Sequence, residues 1–375
     1  MKLRIRFFCH SLVSDWNHGN AHFLRGVMSE LVARGHDVQA FEPENGWSLT
    51  NLIREAGAES VHEFQSRFPL LKSSFYSEQQ FQPEEFLDGV DVVLVHEWTA
   101  PAVVNKIGQY RRRNSSIRAF FHDTHHRAIT APQELSRNDL SGYDGLLVYG
   151  NALREVYLQR GWGNRVHVWH EAADTRIFHP IEGVKPDRDL VWIGNWGDEE
   201  RTQELNEYLI EPARKLGVSG AAYGVRYPAE AVEHLTQAGL QYGGWTPNYR
   251  VPEIFAHSRV TVHVPRRPYA AALPGIPTIR PFEALACGIP LISAPWPDVE
   301  GLFDVGGDFL MARNGEHMAS LLKQILYDAD FARELSSHGR NTVLKRHTCA
   351  HRVDQLLNIY KAIQPAKMEA AVGVN

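Results

Sequence analysis

Apolar positions along the chain fall into two kinds of run. Short, nearly unbroken runs at Leu3–Cys9, Val38–Phe41, Asp91–Val95, Ile117–Phe121, Leu146–Tyr149 and Val166–Trp169 read as buried strands. Between the first two, Phe23, Leu24, Val27, Met28, Leu31 and Val32 recur at helical spacing, and further helices are predicted over Pro101–Arg113 and Asn151–Gln159. Residues 47–88 read as mostly helical without sharper definition. After a polar stretch with Gly and Pro, Glu182 to Arg188, the alternation restarts. Strands at Leu190–Gly194, Ala221–Gly224, Leu240–Tyr242, Val260–Val264 and Pro290–Ser293 alternate with helices at Ala229–Gln237 and Val251–His257. Three helices follow, marked by Met318 to Leu326, Phe331 to Lys345 and Val353 to Tyr360.

Strands that alternate with helices predict parallel sheets, and ligands meet such sheets at the carboxyl ends of the strands. The fold class is therefore α/β, as two doubly wound Rossmann-like domains. The expected division is an N-terminal domain over residues 1–182, a second over 189–350, a last helix over 351–363 and a disordered tail over 364–375.

Composition narrows the function classes. The 375 residues are enough for two cores, and 43% hydrophobic with 22% charged residues suits a soluble globular protein. Thirty-nine basic against 44 acidic residues, net −5, give nothing global to draw the chain to nucleic acid. Cys9, Cys287 and Cys349 are few and far apart, which fits a reducing cytoplasm and argues against a disulfide framework or a thiolate metal site. No signal peptide or 18-residue apolar run is present, so membrane contact is at most peripheral. Lys106 and Arg111-Arg112-Arg113 end one predicted helix; they either touch an anionic lipid or acidic acceptor, or simply complement the helix C-terminus.

Candidate chemistry concentrates in Ala271 to Trp296, AALPGIPTIRPFEALACGIPLISAPW. Pro274-Gly275-Ile276-Pro277-Thr278 must be a loop, because two prolines flank a glycine. A helix is expected from Pro281, after Arg280, with Glu283 in its first turn and Gly288 as its end. A glycine loop, a helix N-terminus and a carboxylate suit a nucleoside diphosphate: amides and dipole face the phosphates, the carboxylate the ribose. The first strand also runs into a glycine loop at Gly19, but lacks the three-glycine dinucleotide fingerprint, so NAD is not expected. Asn195 follows the first strand of the second half, with Arg201 soon after, and Arg266 follows a later strand. His122-Asp123-Thr124-His125-His126 reads as a loop after a strand, with side chains entering a cleft.

Arg280 to Ser293 resembles the nucleotide-sugar segment of GT-B glycosyltransferases, in particular the large retaining family whose pattern is Glu, seven residues, Glu, then Ala-x-Ala-Cys-Gly-x-Pro. Glu283 matches the second glutamate, which in that family holds the donor ribose. The first would fall at Gly275, a departure that resembles the CgeB-like, spore-maturation branch from Asn20 to about Leu357. Asp174, Phe178 and Pro180 keep the spacing of the passage that leaves the first GT-B domain. The resemblance implies a hexosyltransferase that needs no metal or cofactor. It implies a donor site of Gly19, Asn195, Arg201, Arg266, Gly275, Ile276, Thr278, Arg280 and Glu283, and a catalytic group among His122, Asp123 and His126. It also implies that the last helix crosses back onto the first domain. Retention follows from the family pattern, but the change at Gly275 leaves stereochemistry open.

The partners are then a nucleotide-diphosphate sugar and an acceptor that is a glycan, a lipid-linked glycan, a protein or a small molecule, with no nucleic acid. Two other readings use the same residues: a nucleotide-sugar epimerase or non-catalytic binder, and a metal-dependent hydrolase built on His122, Asp123, His125 and His126.

Overall fold

In a computed structural model, residues 2–363 are described; the expected disordered tail lies outside them. Two sheets form, and every pairing in both is parallel. The first has seven strands: β1 (Arg4–Phe8), β2 (Asp37–Pro43), β3 (Ser73–Tyr76), β4 (Val92–His96), β5 (Arg118–Asp123), β6 (Gly145–Val148) and β7 (Val166–Val168). Their order is β3-β2-β1-β4-β5-β6-β7. The second has six: β8 (Arg188–Ile193), β9 (Gly220–Tyr223), β10 (Leu240–Tyr242), β11 (Ser258–His263), β12 (Leu291–Ser293) and β13 (Leu310–Met311), ordered β10-β9-β8-β11-β12-β13. This is the two-domain Rossmann-like architecture that the alternation predicts.

Each order reverses direction once, between β1 and β4 in the first sheet and between β8 and β11 in the second. A crevice opens at such a switch, because the connections on either side leave in opposite directions. The loops after these four strands carry His10, Glu97 and Trp98, Gly194 and Asn195, and Val264 to Arg266.

Three departures from the expected elements have simple causes. β3 was not foreseen, since Ser73-Ser74-Phe75-Tyr76 is an edge strand with one buried residue and no apolar pattern. Helix Ile279–Cys287 starts two residues before Pro281; the missing proline N–H falls in the first turn, where no intrahelical bond is lost. β5 runs on through His122 and Asp123, which are paired with β4 and β6 instead of lying in a loop.

The final helix, Cys349–Ile363, packs on helix Asn20–Ala33 of the first sheet. Its Cys349, Val353, Leu356 and Tyr360 join Phe23, Val27 and Trp169 in one core. Gly26 marks the closest point, since a Cβ there would stand 2.5 Å from the Cys349 sulfur and 2.8 Å from Asp174 Cβ. Arg352 fixes the crossing: its Nε donates to His170 O at 2.8 Å, and its own carbonyl accepts from Trp169 Nε1 at 2.8 Å. Much of the basic helix end is paired within the protein, as Lys106 donates to Phe81 O, Arg111 grips Asp144 with both nitrogens and the exposed Arg112 pairs with Asp139, while Arg113 is exposed. No helix of the described residues is long and apolar enough to cross a membrane.

Leu356 is 1% exposed in the seam between the two helices. Leu356→Ala should destabilise the protein by about 2–5 kcal/mol, read as a lower urea midpoint, because a methyl-lined void opens in a packed core. An unchanged midpoint would show that the last helix does not seal the first core.

Candidate functional site

The carboxyl ends of the two sheets face one another across a cleft of about 950 Å³. Of the residues singled out in the sequence, Gly19, His126, Asn195, Arg201, Arg266, Thr278 and Arg280 line it. Thr278 and the first two residues of helix Ile279–Cys287 form part of the wall, so the positive end of that helix opens on the cleft. His263 braces this corner, with Nδ1 2.9 Å from Ser293 Oγ and Nε2 3.2 Å from Thr278 Oγ1. Burial, with Arg201 and Arg280 nearby, pushes its pKa down to about 3, leaving a neutral imidazole.

The arginines differ in freedom. Arg201 is buried, lies over the Trp192 ring at 5.1 Å, and donates to Val264 O at 2.9 Å and to Asn195 O. Burial first, then Arg266, draws its pKa down to about 9, so it is still a cation at neutral pH. Among the described residues the Arg266 side chain is held only by Glu200, at 3.0 Å, and Glu200 also stands 3.7 Å from His126 Nε2 across the cleft. Asn195 spends its amide on Asn17 Oδ1 and the N–H of Val225, tying the two halves together.

Five residues lie elsewhere. Gly275 has φ +89° and donates its N–H to Pro297 O at 2.6 Å; a side chain there would strike Val299 and Glu300. It shapes the loop behind the wall. Ile276 is buried against the core of the first sheet, close to Gly150. Glu283 has no exposure, because its helix is wedged between the two halves and buried on nearly every side. Its carboxylate meets Arg280 at 2.5 Å, His22 Nδ1 at 3.1 Å and Asn248 Nδ2 at 3.1 Å. His122 and Asp123 sit under the cleft floor, 1% and 0% exposed, because they belong to a central strand. His122 packs against Phe23, His96 and Trp169, while Asp123 accepts from Tyr157 OH at 2.6 Å and from the His125 N–H at 2.9 Å.

Other cleft residues were not legible as a site: His10, Trp47, Trp98, Glu171 and Tyr269; His125, singled out only for the metal reading, also lines the cleft. The available signal was position, since His10 and Trp98 follow β1 and β4 at the switch point. Glu171 is buried, accepts from Asn20 Nδ2 at 3.2 Å and has its pKa raised to about 8 by burial, so it holds a proton at neutral pH. Below the floor, Glu97 Oε2 stands 2.8 Å from His96 Nε2, and burial lifts the Glu97 carboxyl to about 8. Asp123 rises to about 7, through burial and then Glu97. Among the described residues no group of three or more His, Cys, Asp or Glu is arranged to hold a metal ion.

Two outcomes follow. Glu283→Ala would leave the Arg280 and His22 side chains without their buried partner, and should cost about 3–5 kcal/mol in a denaturant melt. A loss under 1 kcal/mol would mean that this carboxylate is not a structural anchor. The second concerns pH. Burial lowers His10 to about 4, His96 and His263 to about 3, and His18, His122 and His125 well below 6.5. Between those values and 6.5 the unfolded chain binds more protons, so stability rises with pH. Glu97, Glu171 and Asp123 have raised values, so the folded state binds more protons and their contribution fades up to about 8. The histidines outnumber them below 6.5 and stop titrating above it; the urea midpoint should peak near pH 6.5. A midpoint still climbing at pH 8 would contradict this balance.

Comparison with known proteins agrees with this fold. Residues 201–358 match the family described as Glycosyl transferase-like. No curated protein matches the chain in sequence. Among solved structures, sucrose-phosphate synthase from Thermosynechococcus elongatus is similar with a TM-score of 0.68 at 15% identity, covering 96% of this chain and 99% of that one. An Anabaena protein, HepE, in complex with UDP and glucose gives 0.66 at 13%, covering 96% and 100%. An alpha-glucosyltransferase in complex with UDP and a 13-mer DNA containing a HMU base gives 0.69 at 12%, with the same coverage. Residues 201–358, less than half of the chain, are similar to that glycosyl transferase-like family, and the chain has the two-sheet fold of the GT-B glycosyltransferases.

Proposed function

We propose that the protein moves a hexose from a nucleoside-diphosphate sugar to an acceptor hydroxyl, without a metal, in the cleft between its two sheets. The observation that carries this reading is the corner where one helix N-terminus and three arginines, Arg201, Arg266 and Arg280, face the same space. Such a corner suits a diphosphate, and the stabilisation grows as the leaving group gains charge. Two structurally similar proteins are in complex with UDP, which favours a uridine donor here. The first half, residues 1–182, is assigned to the acceptor and 189–350 to the donor, in a CgeB-like, cytoplasmic protein.

In the reaction the bond from the sugar C1 to the diphosphate oxygen breaks, and its electron pair stays on that oxygen. A new bond forms from C1 to the acceptor oxygen, whose proton must leave. His126 is assigned that proton: its Nδ1 is 2.8 Å from Thr130 Oγ1, and its Nε2, buried 3.7 Å from Glu200, has no hydrogen-bond partner among the described residues. Burial lowers its pKa, which keeps it neutral and able to accept. His122 and Asp123 act from below, Asp123 by holding the backbone at His125. Gly19 and Asn195 shape the donor side, Gly275 and Ile276 support the loop before Thr278, and Glu283 positions Arg280. A ribose contact from Glu283 would require it to exchange one of its present partners.

The test is a titration with UDP and with uridine, followed by turnover. Arg266→Ala should weaken UDP by at least about tenfold while uridine changes little, since a charge-assisted bond is worth about 1.5–3 kcal/mol. His126→Ala should lower turnover about a hundredfold with UDP affinity nearly intact. Equal losses for UDP and uridine would remove Arg266 from the phosphates. Release of UDP from the sugar nucleotide without any acceptor would favour an epimerase.

A further inference from the structure

The cleft is divided by charge in a way that the donor site does not explain. Every arginine on its wall, Arg201, Arg226, Arg266 and Arg280, comes from the second half of the chain. The described residues of the first half that line the cleft include neither lysine nor arginine; Arg127, behind Trp98, is taken up by Glu97 O and Glu134. This wall carries instead two exposed indoles, Trp47 at 47% and Trp98 at 41%, with the exposed Glu44, Asn45, Glu78 and Gln79 beside them.

Large exposed apolar rings in a cleft need a reason, because burying them elsewhere would stabilise the fold. Both rings are also held still. Trp47 meets the edge of Trp16 at 5.0 Å, and Trp16 is itself anchored by Glu55. Trp98 carries the Arg127 guanidinium over its ring at 3.7 Å and His125 at 5.2 Å, and is still 41% exposed. His10 stands between the two indoles, 6.3 Å from Trp47 and 6.0 Å from Trp98. Its pKa, lowered to about 4 by burial, keeps it uncharged at neutral pH. A rigid ring loses little entropy when it takes a partner, so this wall is prepared for something flat and weakly polar on one side.

We infer that this wall holds the acceptor, and that the acceptor is a neutral saccharide whose sugar ring stacks on Trp47 and Trp98 while its hydroxyls donate to Glu44 and Glu78. This rests on the transferase reading given above. A pyranose has a C–H face that fits the electron-rich face of an indole, and a rim of hydroxyls that suits carboxylate and amide oxygens. An anionic acceptor meets the opposite conditions: phosphates need lysine or arginine, and here they would meet two carboxylates. The similar alpha-glucosyltransferase is in complex with DNA, so duplex DNA belongs among the ligands to be tested.

The experiment titrates the intact protein with UDP, with a panel of neutral disaccharides, with a sugar phosphate and with a short duplex DNA, following tryptophan fluorescence and heat. A neutral disaccharide should bind in the presence of UDP, and Trp47→Ala and Trp98→Ala should each weaken it at least about tenfold, as loss of a central aromatic contact does. UDP affinity should be unchanged in both variants, which also shows that they are folded. Glu44→Lys with Glu78→Lys should shift preference toward the sugar phosphate. Binding of UDP with no saccharide bound, tighter binding of DNA or of the sugar phosphate by the unaltered protein, or indifference to both tryptophans would overturn the inference. Saccharide binding that depends on the two tryptophans, but without any binding of UDP or another nucleoside diphosphate, would sink the transferase reading and leave the saccharide wall standing.

Discussion

A carboxylate without exposure must find partners, and Glu283 finds them on both sides of the junction: Arg280 and Asn248 from the second half, His22 from the first. Asp15 mirrors it from the other side, paired with Arg25 at 2.8 Å and accepting from Trp245 Nε1 and the Asn248 N–H, each at 3.1 Å. Asn248 touches both carboxylates. Burying such charges is costly unless every partner is in place, so the junction is satisfied in few geometries. An apolar seam could slide; this one cannot without stranding a charge. The cleft depends on it, because Arg280 and the N-terminus of its helix are aimed from this junction.

The floor of the cleft follows a related rule. His10, His18, His96 and His122 stand in a row with ring centroids 5.1, 5.8 and 5.4 Å apart. Imidazoles can be packed this closely in a core only while they are neutral, and burial keeps them so. The row lies at the switch between β1 and β4, where strand ends offer polar residues no water and few backbone partners. The histidines therefore serve as flat, moderately polar filler under a site whose upper surface must remain wet.

The sequence was most readable where local rules dominate. Pro101–Arg113 and Ala229–Gln237 have apolar spacing and clear ends, and both helices occur over those residues. The alternation of strands and helices carried the two sheets, since a parallel sheet buried on both faces writes itself as apolar runs. The side chains of the candidate site were less legible. His122 and Asp123 look like loop residues because nothing nearby announces that Trp169 and Tyr157 will cover them. Glu283 looks like a surface residue of a first turn, because Asn248 and His22 arrive from far along the chain. Trp47 carried no signal and Trp98 only its position after β4, since exposure of an indole is settled by what fails to pack on it. Local pattern reaches the scaffold; burial of polar groups depends on contacts between distant segments.

The crossing at Gly26 has a consequence for how the protein is made. Helix Asn20–Ala33 leaves the ribosome early, but the helix that covers it, Cys349–Ile363, is made roughly 300 residues later. At about 5–20 residues per second the apolar stripe of Val27 and Leu31 waits uncovered for about 15–60 s. During that interval the first half is a nascent domain with a missing wall, and chaperones that shield greasy surfaces have a natural client in it. Helix Cys349–Ile363 thus closes the first core, and a protein truncated shortly before Cys349 would present the quality-control machinery with a permanently unfinished first half.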